Sequence, residues 1–211
     1  MKQAFFITGT DTNVGKTYVA CQLINDYVAQ GYKVIGMKPV AAGCELVEGE
    51  WVNEDVLKLE AASNVKAPRN LVNPYSFKEA IAPHIAAELA GVNIEISVIK
   101  QAFDALTELA DIVIVEGAGG FLVPLNSVPL GETQSMADLA AALNIPIILV
   151  VEMKLGCINH TLLTLEAIQA RNLTLHGWVA NQIGSKMPML AENEATLMRQ
   201  IKQPRLFSPD C

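Results

Sequence analysis

Short apolar runs alternate along this chain with longer stretches that have helical spacing. Five of the runs are strand-sized and rich in β-branched residues, at positions 5–8, 33–37, 111–115, 147–151 and 175–180. Apolar residues in these runs are mostly consecutive and seldom alternate with polar ones, which predicts strands that are buried on both faces.

Between the runs, apolar residues recur every three or four positions, as on the buried face of a helix. The predicted helices cover residues 17–30, 53–62, 81–89, 94–109, 136–143, 158–170 and 190–201. Residues 43–50 and 67–77 are predicted to be extended loops. The alternation predicts an α/β fold, in which a mostly parallel sheet is flanked by helices.

The carboxyl ends of parallel strands meet at one edge of a sheet, and ligands of α/β proteins bind there. The residues at or just after the predicted strand ends are Gly9, Lys38, Glu116, Glu152 and Asn181. We therefore expect the chemistry of this protein to lie along that rim.

Composition narrows the function classes. The chain has 211 residues, enough for one domain with a full core, and we predict a single domain over residues 1–211. The net charge is −7 and the basic residues form no cluster, which argues against a nucleic-acid partner. The cysteines are widely spaced without a C-x-x-C unit, so we expect free thiols in a reducing compartment rather than a zinc site.

No apolar stretch approaches the roughly 20 residues of a membrane helix. The longest, at residues 145–151, is strand-sized, and the apolar stretch at the N-terminus is too short for a signal peptide. We expect a soluble, cytoplasmic protein with no membrane partner.

The first apolar run leads directly into a glycine-rich segment, Gly9-Thr-Asp-Thr-Asn-Val-Gly15-Lys16-Thr17. Such a turn between a strand and a helix binds phosphate with its backbone N–H groups, aided by the helix dipole. Lys16 would then reach the outer phosphates, and the Thr17 hydroxyl would bind Mg²⁺. Gly9 stands one position earlier than in the usual spacing, which indicates a longer variant. A plain strand-to-helix turn is the alternative.

The third run ends in Glu116-Gly-Ala-Gly-Gly120, which resembles the second motif of phosphate-loop enzymes. In that motif a buried strand delivers a carboxylate to Mg²⁺, here Glu116, and the glycines let a ligand approach the backbone. A strand followed by an ordinary glycine turn is the competing interpretation.

Lys38 follows the second run, which brings it to the same edge as Lys16. Two ammonium groups at one place suggest an anionic reactant, although a lysine at a strand end is often merely solvated. Asp55 begins a predicted helix. It could complement the helix N-terminus or complete a magnesium site with Thr17 and Glu116, and spacing alone does not decide between the two.

Residues 154–160, Lys-Leu-Gly-Cys-Ile-Asn-His, connect the fourth run to a helix. The N–H groups of residues 156–159 would form a second anion site, suited to a carboxylate. A capped helix start explains the same residues, and His160 at that position is typical of a structural histidine.

Taken together, these segments resemble the dethiobiotin synthetase family. The matching segments span nearly the whole chain, at residues 8–17, 36–40, 72–77, 82–85, 115–120, 150–160 and 177–181. The resemblance implies an α/β fold of phosphate-loop NTPase type that works as a homodimer. It also implies ATP- and Mg²⁺-dependent carboxylation of 7,8-diaminopelargonate by CO₂, which gives dethiobiotin, ADP and phosphate.

The resemblance also assigns roles to residues. Lys38 and Lys16 are the expected catalytic residues, Lys38 by stabilising a carbamate and the transition state. Thr17, Asp55 and Glu116 are the expected ligands of Mg²⁺. The expected nucleotide-binding residues are Asn13, Val14, Gly15, Lys16, Thr17, Tyr18, Asp55, Glu116, Gly117, Ala118, Gly119, Asn181 and Gln182. The expected substrate-binding residues are Thr12, Lys38, Gly156, Cys157 and Asn159. Asn181 is expected to read the adenine edge, and the turn at 156–159 to receive a substrate carboxylate bound mainly to the other subunit.

Two features depart from the family pattern. Ala41-Ala42 stands where relatives often have a hydroxyl residue, so a side-chain hydrogen bond to substrate is missing or supplied elsewhere. The chain stops at Cys211, where relatives usually continue into a segment that covers the base, and this implies looser base selectivity. A switch-type ATPase of the cell-division or partitioning class is the alternative function. Those proteins usually have a lysine where this chain has Thr10.

Overall fold

The computed structural model of this chain describes residues 2–128, 133–182 and 187–207. The strands are β1 (Gln3–Gly9), β2 (Val34–Met37), β3 (Val40–Ala42), β4 (Glu45–Val47), β5 (Glu50–Val52), β6 (Tyr75–Phe77), β7 (Ile112–Glu116), β8 (Ile147–Glu152) and β9 (Leu175–Asn181). The helices are α1 (Lys16–Ala29), α2 (Glu54–Ala62), α3 (Arg69–Val72), α4 (Pro83–Ala90), α5 (Ile96–Leu109), α6 (Met136–Leu143), α7 (Cys157–Ala170) and α8 (Leu190–Gln200).

The five predicted strands form one parallel sheet in the order β2-β7-β1-β8-β9. Central β1 has a partner on each side, since Phe6 is in register with Val115 of β7 and with Ile147 of β8. Every residue of β7 is buried. The predicted α/β fold with a mostly parallel sheet is confirmed.

Helices cover both faces of this sheet. Successive side chains of a strand point to opposite faces, and β1 accordingly divides its residues between two cores. Phe6 belongs to a cluster that includes Leu106 of α5. Phe5 and Ile7 belong to a cluster that includes Ile24 of α1. This two-sided burial explains why the strands read as continuous apolar runs.

The predicted helices agree with the structure to within two residues at each end, and α6 has the predicted bounds. Helix α4 begins at Pro83 rather than at residue 81, because proline is suited to the first helical position. Asn53 caps α2, its side chain accepting a hydrogen bond from the Asp55 N–H.

The two predicted extended loops are wrong. Residues 43–50 contribute to a hairpin of β4 and β5, whose turn residues Glu48 and Gly49 both have positive φ. Residues 67–77 contain α3 and β6, and β6 pairs in parallel with β3. Strands of three residues are too short to show a period of two, so the sequence pattern did not reveal them.

Other predictions can be checked on the described residues. Cys21, Cys44 and Cys157 are free thiols, as expected, while Cys211 lies outside the described part of the chain. Within residues 2–128, 133–182 and 187–207, no helix is long and apolar enough to cross a bilayer. The single domain over residues 1–211 stays a prediction.

Candidate active site

The loop between β1 and α1 has the backbone of an anion site. Asn13 and Gly15 adopt left-handed conformations, with φ of 59° and 89°, and α1 begins at Lys16. The first N–H groups of a helix have no intrahelical acceptor, so they are available to a ligand. A Cβ at position 9 would collide with Cγ2 of Val14, so glycine is the residue that fits the unusual early position without a shift of its neighbour.

Lys16 lies inside this loop. Its side chain is buried, and its Nζ donates to the main-chain oxygen of Asp11 at 2.9 Å. Burial, followed by the like charge of Lys38, lowers the pKa of Lys16 to about 8. An anion bound between these ammonium groups would relieve their repulsion, which favours phosphate binding here.

Lys38 lies between two carboxylates. Its Nζ donates to Oε1 of Glu116 at 2.5 Å and to Oδ2 of Asp55 at 3.0 Å. Burial opposes the charged form of Lys38, but the charges of Glu116 and Asp55 outweigh it and raise the pKa. Burial also opposes ionisation of Asp55, yet the charge of Lys38 lowers the pKa of that carboxyl. Lys38 is therefore a buried, charged ammonium group.

The predicted magnesium ligands meet at the same place. Thr17 Oγ1 donates to Oε1 of Glu116 at 2.8 Å. The second carboxylate oxygen of Glu116, Oε2, is buried without a hydrogen-bond partner among the described residues. Mg²⁺ prefers oxygen ligands and takes only one or two carboxylates when phosphates supply the rest. Thr17, Glu116 and Asp55 fit that donor set.

These residues surround one cleft of about 760 Å³. The predicted site residues that line it are Thr12, Asn13, Gly15, Lys16, Thr17, Tyr18, Lys38, Asp55, Glu116, Ala118 and Gly119. Residues not singled out from the sequence also line it, among them Val40, Asn53, Lys58, Pro83 and Val123. Asn53, two residues before Asp55 at a predicted helix start, carried a recognisable capping signal.

Several predicted nucleotide-binding residues are not among those that line the cleft: Val14, Gly117, Asn181 and Gln182. Val14 is fully buried, and Gly117 packs against the ring of Phe6. The Asn181 side chain donates from Nδ2 to the main-chain oxygen of Val14 at 2.7 Å. Asn181 therefore ties the end of β9 to the phosphate loop.

The turn before α7 also lies apart from the cleft. Gly156 has φ of 95° and precedes the helix, while the N–H of Cys157 donates to the Lys154 oxygen at 2.9 Å. The thiol of Cys157 is buried. Cys157 thus offers neither group to a ligand in this arrangement. Leu155, just before this turn, is 94% exposed.

A family model described as an AAA domain matches residues 3–207. The ATP-dependent dethiobiotin synthetase BioD of Aromatoleum aromaticum is 51% identical over 97% of this chain and 88% of its own length. The enzyme of the same name from Nitrosospira multiformis is 50% identical over 98% of this chain and 87% of its own length. The chain belongs to the dethiobiotin synthetase family.

Solved structures also resemble this dethiobiotin synthetase family member. McdA of Cyanothece superposes with a TM-score of 0.56 at 15% identity, covering 99% of this chain and 85% of McdA. The septum site-determining protein MinD of Pyrococcus horikoshii gives the same TM-score at 15% identity, covering 99% of this chain and 81% of MinD. At such low identity these matches establish the phosphate-loop NTPase fold alone.

Proposed function

We propose that this protein uses ATP to carboxylate 7,8-diaminopelargonate with CO₂ and to close the ureido ring of dethiobiotin. The observation that carries the proposal is about 50% identity to curated dethiobiotin synthetases over nearly the whole chain. The cleft supports it, because Lys16, Lys38, Glu116 and Asp55 surround a single cavity at the carboxyl edge of the sheet.

The nucleotide binds with its phosphates in the loop at residues 13–18. The N–H groups at the start of α1 and the Lys16 ammonium supply positive charge for the β- and γ-phosphates. The Asn181 amide, through its bond to Val14, holds the shape of this loop. Asn181 also reads the adenine edge in this proposal, with Gln182 beside it.

Thr17, Asp55 and Glu116 hold Mg²⁺ in this proposal. The feature that supports it most directly is Oε2 of Glu116, which is buried and has no hydrogen-bond partner in the described part of the chain. When bound, the ion would neutralise part of the charge on the phosphates. Lys38 keeps its proton, because both carboxylates favour the charged form.

The reaction has three bond-forming steps. One substrate amine attacks CO₂ and loses a proton, which forms a carbamate. A carbamate oxygen then attacks the γ-phosphorus of ATP, and the bond to the ADP oxygen breaks. The second amine finally attacks the carbamoyl carbon, a proton is lost and phosphate leaves. Each step develops negative charge on oxygen, and the ammonium groups of Lys38 and Lys16 stabilise that charge.

Phosphate release tests this proposal. The purified protein with ATP and Mg²⁺ should release phosphate only when diaminopelargonate and bicarbonate are both present. Vigorous turnover with neither substrate would instead favour a switch-type ATPase.

In the proposed homodimer, each substrate molecule is bound by both subunits. Thr12 and Lys38 of one subunit bind the reacting end of the substrate, and the turn at residues 156–159 of the other subunit receives its carboxylate. The exposed Leu155 beside that turn supports a subunit contact there, because burial of a large apolar side chain lowers the free energy of the assembly.

Mixed dimers test the shared site. Lys38→Gln and Asn159→Asp should each lower activity by about a hundredfold or more, the second because it sets a carboxylate against the substrate carboxylate. Mixing and reassembling the two variants should restore about a quarter of the wild-type rate, since half of the dimers are mixed and each has one intact site. A mixture that stays inactive would contradict a site shared between subunits.

A further inference from the structure

Asn73 is a buried residue at the end of α3, and its amide group makes three hydrogen bonds. Its Nδ2 donates to the main-chain oxygen of Lys38 at 2.6 Å and to that of Tyr75 at 3.0 Å. Its Oδ1 accepts from the Ser76 hydroxyl at 2.6 Å. Both hydrogens of the amide are therefore in use, and the side chain is held at each of its polar atoms.

Two consecutive residues, Val72 and Asn73, form hydrogen bonds with the main chain of Lys38. The Lys38 N–H donates to the Val72 oxygen at 2.9 Å, and the Lys38 C=O accepts from Asn73. Just beyond Lys38, the Tyr75 N–H donates to the Pro39 oxygen at 3.1 Å. The hydrogen bonding between β3 and β6 thus extends toward the N-terminus as far as Lys38. The last bond of this series is the one that the Asn73 side chain donates to the Lys38 C=O.

The side chain of Lys38 is fixed at its other end by Asp55 and Glu116. A lysine side chain has four rotatable bonds, so the position of its ammonium depends on where the main chain lies as well as on its partners. Misplacement of a reacting group by about 1 Å can cost about a hundredfold in rate. Holding the Lys38 main chain is therefore a means of setting the position of Nζ.

We propose that Asn73 is a positioning residue, which acts on the reaction by holding Lys38. The proposal rests on the proposed function, in which Lys38 stabilises the carbamate and the phosphoryl group. Without Asn73 the buried C=O of Lys38 loses its donor, and the segment that carries Lys38 is free to shift.

Asn64 provides a matched control at the other end of β2. Its Oδ1 accepts from the Val34 N–H at 2.8 Å, and its Nδ2 donates to the Tyr32 oxygen at 2.8 Å. It is the same residue type making the same kind of bonds to the same strand. Val34 is four residues from Lys38, or about 13 Å along an extended strand. Asn64→Ala therefore removes hydrogen bonds of the same kind, from a more exposed side chain, without touching the cleft.

A second control separates the two ends of the Asn73 amide. Ser76→Ala removes the bond to Oδ1 and leaves both Nδ2 bonds in place. Asn73→Asp does the reverse, since it keeps an acceptor for Ser76 and loses the donors to Lys38 and Tyr75. Asn73→Asp also serves if Asn73→Ala does not fold.

The test is dethiobiotin formation by purified variants, with kcat, KM for ATP and thermal unfolding measured for each. We expect Asn73→Ala and Asn73→Asp to lower kcat roughly tenfold or more while KM for ATP changes less than about threefold. Asn64→Ala and Ser76→Ala should stay within about twofold of the wild-type kcat, whatever their unfolding temperatures.

A double-mutant cycle tests whether Asn73 affects kcat through Lys38. In a Lys38→Gln background, Asn73→Ala should lower the residual kcat by less than about twofold, because the group that it positions is already gone. Equal losses in both backgrounds would overturn the proposal, as would an Asn73 variant with the kcat of Asn64→Ala. A wild-type protein that makes no dethiobiotin would overturn the proposed function itself, which is a different result from an active wild type with active Asn73 variants.

Discussion

Lys38 lies where its charge can act on a ligand, since it borders the cleft and has two carboxylate partners. The first prediction is that Lys38→Gln lowers dethiobiotin formation by about a hundredfold or more, because the reacting centre loses a positive charge. Glutamine can still donate to Glu116 and Asp55, so we expect circular dichroism to report a folded protein.

Lys33→Gln is the matched control for this change. Lys33 is an exposed lysine just before β2, and its replacement removes the same charge at the opposite end of the strand. Its turnover should equal that of the wild type. Near-normal turnover by Lys38→Gln would exclude Lys38 from the mechanism.

At the residue scale, sequence reasoning found the charged groups but not the Asn73 amide that holds one of them. Lys16, Thr17 and Glu116 belong to local motifs, so their clustering followed from the expectation that strand ends share an edge. The side-chain hydrogen bond from Asn73 to Lys38 spans 35 positions. Such a contact depends on how α3 and β6 pack, which no local pattern in one sequence reveals.

At the scale of elements, the phosphate loop depends on close packing between its two ends. The second prediction is that Gly9→Ala weakens ATP binding roughly tenfold to a hundredfold, because overpacking of this kind costs about 1–3 kcal/mol. The new methyl group would collide with Val14. Isothermal titration calorimetry measures the affinity.

Val14→Ala combined with Gly9→Ala tests the stated cause. The second change removes the Cγ2 atom that the new methyl group meets, so the double variant should bind ATP more tightly than Gly9→Ala alone. No recovery in the double variant would mean that the collision with Val14 is not the cause.

Long elements were predictable and short ones were not. The strands of the central sheet have four to seven residues, and their burial on both faces gives a clear apolar signal. Strands β3 to β6 have three residues each, and they form because they pair with another strand, as in the parallel pairing of Val40 with Tyr75. Of these, β3 and β6 nevertheless matter for the site, because their pairing supports the segment after Lys38.

At the scale of the whole molecule, a ligand that binds only the folded protein stabilises it. The third prediction is that Mg²⁺ adds to the rise in unfolding temperature that ATP causes. At a ligand concentration of a hundred times Kd, the expected stabilisation is about 2.7 kcal/mol. Glu116→Gln should lose the part that depends on Mg²⁺, because it removes a proposed ligand of the ion.

Glu152→Gln is the control for that experiment. Glu152 ends β8 at the same edge of the sheet but pairs with Lys154, and it is not among the residues that line the cleft. Differential scanning fluorimetry should give it the wild-type response to Mg²⁺. An unchanged Mg²⁺ response in Glu116→Gln would remove Glu116 from the magnesium site.

In the proposed reaction, one cleft joins CO₂ to a diamine at the expense of ATP. Its most direct test is mass spectrometry of a reaction that contains the purified protein, ATP, Mg²⁺, diaminopelargonate and ¹³C-bicarbonate. We expect dethiobiotin with a single labelled carbon, formed together with an equal amount of ADP. Formation of ADP without labelled dethiobiotin would contradict it.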